Sequence, residues 1–208
     1  MLRDLISNDV LTFLLFFSLI IVLILKKIDF KKFELLLSFK KRELISSLVI
    51  GERINFKFFD FLFKLLFISN FSIIYTFWKL NQFDLSTYFS VAKICILFYL
   101  LKNFLEINIG WLFGFQKIIK AYLWSKLIFM NSLGILILIF NFIISYNPFF
   151  HQKFIYFFII LSITYLIVGY LIIFISFKNI IAKNWFYFIL YLCTLEIIPY
   201  YFFAKSIV

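Results

Sequence analysis

The sequence predicts an all-α polytopic membrane protein: six transmembrane helices, short interfacial helices on the cytoplasmic side, and both termini outside. Three observations predict it. Hydrophobic residues make up 65% of the 208-residue chain; apolar runs of bilayer-crossing length recur along it; and the polar links between them are mostly short. A soluble core is thereby excluded, and a single membrane domain accounts for residues 1–208. The spans fall near residues 10–25, 61–78, 87–107, 127–146, 154–175 and 185–204. The 34 Phe residues accompany abundant Ile, Lys and Asn and scarce Ala, Gly, Pro and Arg, a skew that follows AT-rich codons. They need no binding role, because a membrane helix asks only for apolar bulk.

Taken in order, Met1 to Asp9 reads as a short polar tail with Arg3, Asp4 and Asp9. The apolar run Val10 to Leu25 follows, and then Lys26 and Lys27. Charge after the run and no small-residue cleavage site predict a retained anchor with its N-terminus outside. The long polar connection from Lys26 to Asp60 carries Lys31, Lys32, Lys40, Lys41, Arg42 and Arg53, with Phe30, Phe33, Leu37, Leu44 and Leu48 recurring at helix-like spacings between them. Two readings stand side by side. One is interfacial helices lying on anionic lipid headgroups; the other is a solvated positive loop that fixes topology. Nothing in it resembles a base-reading motif, so nucleic acid is not an expected partner.

The second span, 61–78, holds Lys64 one turn inside its inner end, where its stem can snorkel to the headgroups and no function need be assigned. Asn81, Gln82 and Asp84 mark a short outer loop. The third span starts near Thr87, and its apolar pattern continues with interruptions to Phe115. Lys93 falls in its outer half, whereas Lys102 and Glu106, four apart, can pair along one helix face near the inner surface. The stretch Gly114 to Lys126 reads as a second short interfacial piece, with Lys117 and Lys120 toward one side and Trp111 and Trp124 as headgroup anchors. The fourth span carries Asn131, Ser132 and Asn141; Asn147 and Pro148 turn the chain into the fifth, and Lys178 and Lys183 precede the sixth. Outside the spans, only Arg3, Lys79, Lys153 and Lys205 of the 21 basic residues then fall on the outer side. The positive-inside bias supports this orientation.

The sixth stretch, Trp185 to Ala204, is unusual in carrying Glu196 and Pro199 within an apolar run. Glu196 lies about 12 Å and Lys93 about 10 Å below the outer surface at helical rise, so an ion pair between them is expected. Pro199 has no amide hydrogen and frees the carbonyl of Leu195, while Cys193 and Tyr200 share a face with Glu196. The result is a polar niche. It serves either to lock two helices together or to line an ion path, as broken helices do in some transporters. Cys95 and Cys193 each fall within an apolar run and read as reduced packing residues. A lone His151 builds no metal set, so neither a metal nor a cofactor is expected. No Gly-x-Ser-x-Gly, His-Glu-x-x-His or facing aspartate pair occurs, so the enzyme reading ranks last.

The segment Gly110-Trp111-Leu112-Phe113, with Tyr122 beyond it, and above all the run from Leu190 through Leu192-Cys193-Thr194-Leu195-Glu196 to Pro199, resemble the domain of unknown function 4271 family of Bacteroidota multi-pass membrane proteins. The resemblance implies an inner-membrane location in a Gram-negative cell and carries over no activity or site. The leading expectation is a non-enzymatic association or accessory protein whose basic cytoplasmic surface (Lys31, Lys32, Lys40, Lys41, Arg42, Arg53, Lys117 and Lys120) engages anionic lipid or an acidic membrane-protein partner. The runner-up is a small ion- or proton-coupled carrier or channel component built around Glu196 and Pro199.

Overall fold

The computed structural model describes residues 2–28, 30, 33–34, 57–112, 116–146, 152–183 and 205. Among them the chain forms five long helices: α1 (Leu2–Ile28), α2 (Lys57–Leu80), α3 (Leu85–Leu112), α4 (Gln116–Tyr146) and α5 (Gln152–Lys183). Each contains a stretch long and apolar enough to cross a membrane, at residues 9–28, 60–80, 85–108, 125–146 and 154–177. These correspond to the first five expected spans. The sixth, 185–204, and most of the basic connection lie outside the described residues.

Two boundaries differ from expectation. The polar tail is helical from Leu2 and continuous with α1. The interfacial piece expected at 114–126 is, from Gln116 onward, simply the start of α4. Neither Gly nor Pro stands between Gln116 and Leu127, so a helix once nucleated propagates through. At 31 residues, α4 is about 46 Å long and exceeds a hydrocarbon core of about 30 Å. Its first turns therefore project beyond the core.

The link between α2 and α3 is set by side-chain chemistry. Asn81 adopts φ 55° and its amide donates to the Phe77 carbonyl at 3.0 Å, closing α2 in the left-handed conformation that Asn tolerates. Asp84 then caps α3, its Oδ2 accepting from the Thr87 amide at 2.9 Å and the Thr87 hydroxyl at 2.7 Å. Such a short link makes α2 and α3 antiparallel neighbours.

α2 and α4 form the centre, sharing the most extensive helix interface; α1, α3 and α5 pack around that pair. Half or more of the α2 and α4 spans is buried (50% and 56%), against 17–28% for the other three. Leu11 and Leu15 of α1 pack on Ile73 of α2 and Leu138 of α4, and Ile155 and Phe158 of α5 pack near Ile144 of α4. These contacts bring the start of one helix to the end of its neighbour, so the bundle runs up and down.

Several polar side chains inside the bundle bond to one another across helices. The Asn141 amide on α4 donates to the Asn70 carbonyl oxygen at 2.9 Å and to its Oδ1 at 3.1 Å. Asn70 Nδ2 in turn donates to the Leu66 carbonyl at 2.8 Å and toward Ser18 Oγ of α1 at 3.4 Å. This buried junction ties three helices at one level. Ser132 of α4 pairs its hydroxyl with that of Tyr165 on α5. Beside that pair, Gly169 lets α5 come close: a Cβ there would sit 2.7 Å from Cδ1 of the Phe129 ring. Small residues at helix interfaces serve this purpose in membranes.

Gly169→Ala is therefore expected to destabilise the bundle by about 1–3 kcal/mol, measured as a lowered melting temperature in detergent. Adding Phe129→Leu should recover most of the loss; an Ala variant as stable as the parent would show that the ring has room to move.

Candidate functional site

Among the described residues, the buried charges gather at one end of the bundle. Lys102 and Glu106 lie one turn apart on α3 and face the same way, as their spacing predicts, with Nζ 3.7 Å from Oε1. α4 supplies a second cation, Lys126, whose Nζ is 3.8 Å from the same oxygen. Glu106, Lys102 and Lys126 are only 1%, 7% and 9% exposed, so the carboxylate faces its two cations away from bulk water. Lys126 also lies over the Tyr170 ring of α5, 5.9 Å from its centroid.

α2 completes the cluster. Asp60 is buried in its first turn, and Lys64, one turn on, is half-buried with its ammonium 5.2 Å from the centroid of the Tyr99 ring. Asp60 and Glu106 are the carboxylates that act on the Lys64 charge. Lys64 thus faces protein rather than simply snorkelling along the lipid surface. Among the described residues the cluster brings together three lysines and two carboxylates.

Beside the cluster, α2, α3, α4 and α5 line an open-sided cavity of about 400 Å³, within the range of small-molecule sites. Its two ends differ. Phe71, Cys95, Phe98, Met130 and Leu166 line the deep end, whereas Lys102, Glu106, Lys126 and Tyr170 line the end near the bundle's edge. Cys95 is a free thiol buried against Ile68 and Tyr75, a packing residue as expected. Among the described residues no three His, Cys, Asp or Glu side chains gather to hold a metal. What the arrangement offers chemically is a set of buried charged groups at one end of an apolar slot.

The residues singled out from sequence fall elsewhere. Glu196, Pro199, Cys193 and Tyr200 lie outside the described residues, as do Lys31, Lys32, Lys40, Lys41, Arg42 and Arg53. Lys117 and Lys120 stand in the first turns of α4, at the same end as the cluster. Lys93 is exposed on α3, nine residues from Lys102 and so about 14 Å away along the helix. Asp60, Lys64 and Lys126 went unassigned in the sequence. Their signal was present nonetheless: ionisable residues within membrane-spanning segments mark functional sites by default.

A family model described as Domain of unknown function (DUF4271) matches residues 10–207. No curated protein and no solved structure matches the chain.

Removing the shared carboxylate takes from Lys102 and Lys126 the anion that both face. Glu106→Gln is expected to cost about 3 kcal/mol, and Lys126→Gln less, because Glu106 keeps Lys102. Unfolding in detergent of the two single variants and the double, combined as a double-mutant cycle, measures the coupling; additive effects would mean that the pair is not coupled.

Proposed function

The chain belongs to the DUF4271 family, and from the concentration of positive charge at one end of its bundle we propose that it is a non-enzymatic inner-membrane protein that works by association. Its basic face is cytoplasmic and engages anionic lipid headgroups. Residues 185–204 form a sixth span, and both termini lie outside. An acidic membrane-protein partner would dock on the same face.

The supporting observation is where the helix-end lysines fall. The up-and-down packing brings Lys26 and Lys27 in the last turn of α1, Lys117 and Lys120 in the first turns of α4, and Lys178 and Lys183 near the end of α5 to the same end of the bundle. The opposite end has Lys79 in the last turn of α2 and Lys153 at the start of α5. A membrane protein keeps its Lys-rich end cytoplasmic. Each Lys or Arg near an anionic leaflet contributes about 1 kcal/mol of attraction.

Neutralising Lys40, Lys41 and Arg42 together as glutamines is then expected to weaken retention of acidic phospholipid about a hundredfold, with the melting temperature unchanged. The readout is acidic lipid bound per protein after purification in a non-ionic detergent. Lys79→Gln with Lys153→Gln serves as the opposite-face control. Equal loss in both variants, or loss in neither, would overturn the reading.

A further inference from the structure

We propose that the cavity between α2, α3, α4 and α5 seats one acyl chain of a bilayer phospholipid, taken in sideways between α3 and α5 from the leaflet at the Lys-rich end. The site lies in the membrane-embedded part of the bundle and does not rest on the basic surface invoked above.

Helix packing sets where the slot opens. α2 and α4 share the most extensive interface and form its floor, and α3 and α5 each pack on both of them. Among the described helices, α3 and α5 share no comparable interface with each other. The open side of the cavity therefore faces outward between them. At that depth a membrane helix meets acyl chains rather than water.

Length and polarity select the occupant. Along α3 the lining runs from Cys95 to Glu106, about 16 Å at helical rise. Glu106 is the third residue from the end of its span. The slot thus begins at the membrane boundary and reaches inward by about one leaflet, half of a hydrocarbon core of about 30 Å. Its lining changes character over the same distance. Lys102, Asn103, Glu106 and Lys126 stand toward the boundary, where a phospholipid keeps its esters and headgroup; Phe71 and Met130 stand where its chain lies. This match asks for no missing charge, because the chain and its ester are neutral. Water does not fill such apolar walls, since it needs polar partners on several sides. Bilayer chains are as apolar as the walls, so hydrophobicity gives no preference. Packing does: a chain that leaves a liquid-like bilayer for a slot walled by four helices gains dispersion contacts.

The test reconstitutes the full-length protein in vesicles of phosphatidylcholine, a small fraction of which carries a diazirine midway along one chain, with cross-linked peptides mapped after illumination. Ile68 and Phe71 on α2 and Met130 on α4, on the floor of the slot, should label as strongly as exposed Leu97 and Leu100 of α3. Met130→Trp and Leu166→Trp each fill the slot without touching a charge. In either, floor labelling should fall to background while Leu97 and Leu100 label as before. An unlabelled floor in the parent, or an undiminished one in whichever Trp variant melts like the parent, would overturn the proposal. So would labelling of residues 185–204 with the floor bare, which would mean that the chain's own sixth stretch takes the slot. Phosphatidylcholine has no net charge, so the Lys40, Lys41 and Arg42 variant should label normally, and the surface reading and this one fail separately.

Discussion

Everything in this bundle depends on the junction between α2 and α4, where a hydrocarbon environment makes Asn141 and Asn70 find their partners inside the protein. In water such amides would exchange protein for solvent at little net cost. In a bilayer core, each unsatisfied polar group is expensive, so the pair fixes the level at which the two helices meet. The Asn141 amide bridges both the carbonyl and the side chain of Asn70, and Asn70 reaches on to Ser18. Leu66, whose carbonyl accepts from Asn70, and Ile73 are fully buried on α2 on either side of this level. The most buried helices are thus those joined by amides, and apolar packing fills in around them.

The charge cluster follows from the same constraint at a different depth. Glu106 is the third residue from the end of its span and Lys126 the second residue of its own. Near that boundary the cost of charge is lower than at the bilayer centre, and long side chains have a choice of direction. They turn inward. The choice is explained by the partner: a lysine beside a buried carboxylate gains more than one left among headgroups, provided the opposite charge is held by a rigid helix.

Legibility in the sequence divides along this line between local and tertiary information. The first five spans were legible because length and apolar composition are properties of a single segment. So was the Lys102–Glu106 pair, because four-residue spacing places two side chains on one face whatever surrounds them. The loop between α2 and α3 was legible from Asn81 and Asp84: the first tolerates the left-handed backbone that closes α2, and the side chain of the second caps α3. Lys126 was not, because joining Glu106 depends on the register of α4 against α3, which no spacing within α4 encodes. The same holds for Asn70, which in sequence is one polar residue in an apolar run and acquires its role only opposite Asn141. The start of α4 was misplaced for a different reason. Amphipathic periodicity marks which face meets water, but it does not say whether a helix stops, and without a breaker this one continues into the membrane.

The peripheral helices show why the cluster and the cavity coincide. α3 and α5 have 22% and 17% of their spans buried, and both line the cavity over the tightly packed α2–α4 pair. α3 meets α4 through a smaller interface than either makes with α2. The Lys126 ion pair to Glu106 therefore ties α3 to α4 where apolar packing between them is sparse. On the other side, the Ser132 and Tyr165 hydroxyls and the Gly169 notch tie α5 to α4. The cavity is thus flanked by two helices held through polar ties, on a core held by packing.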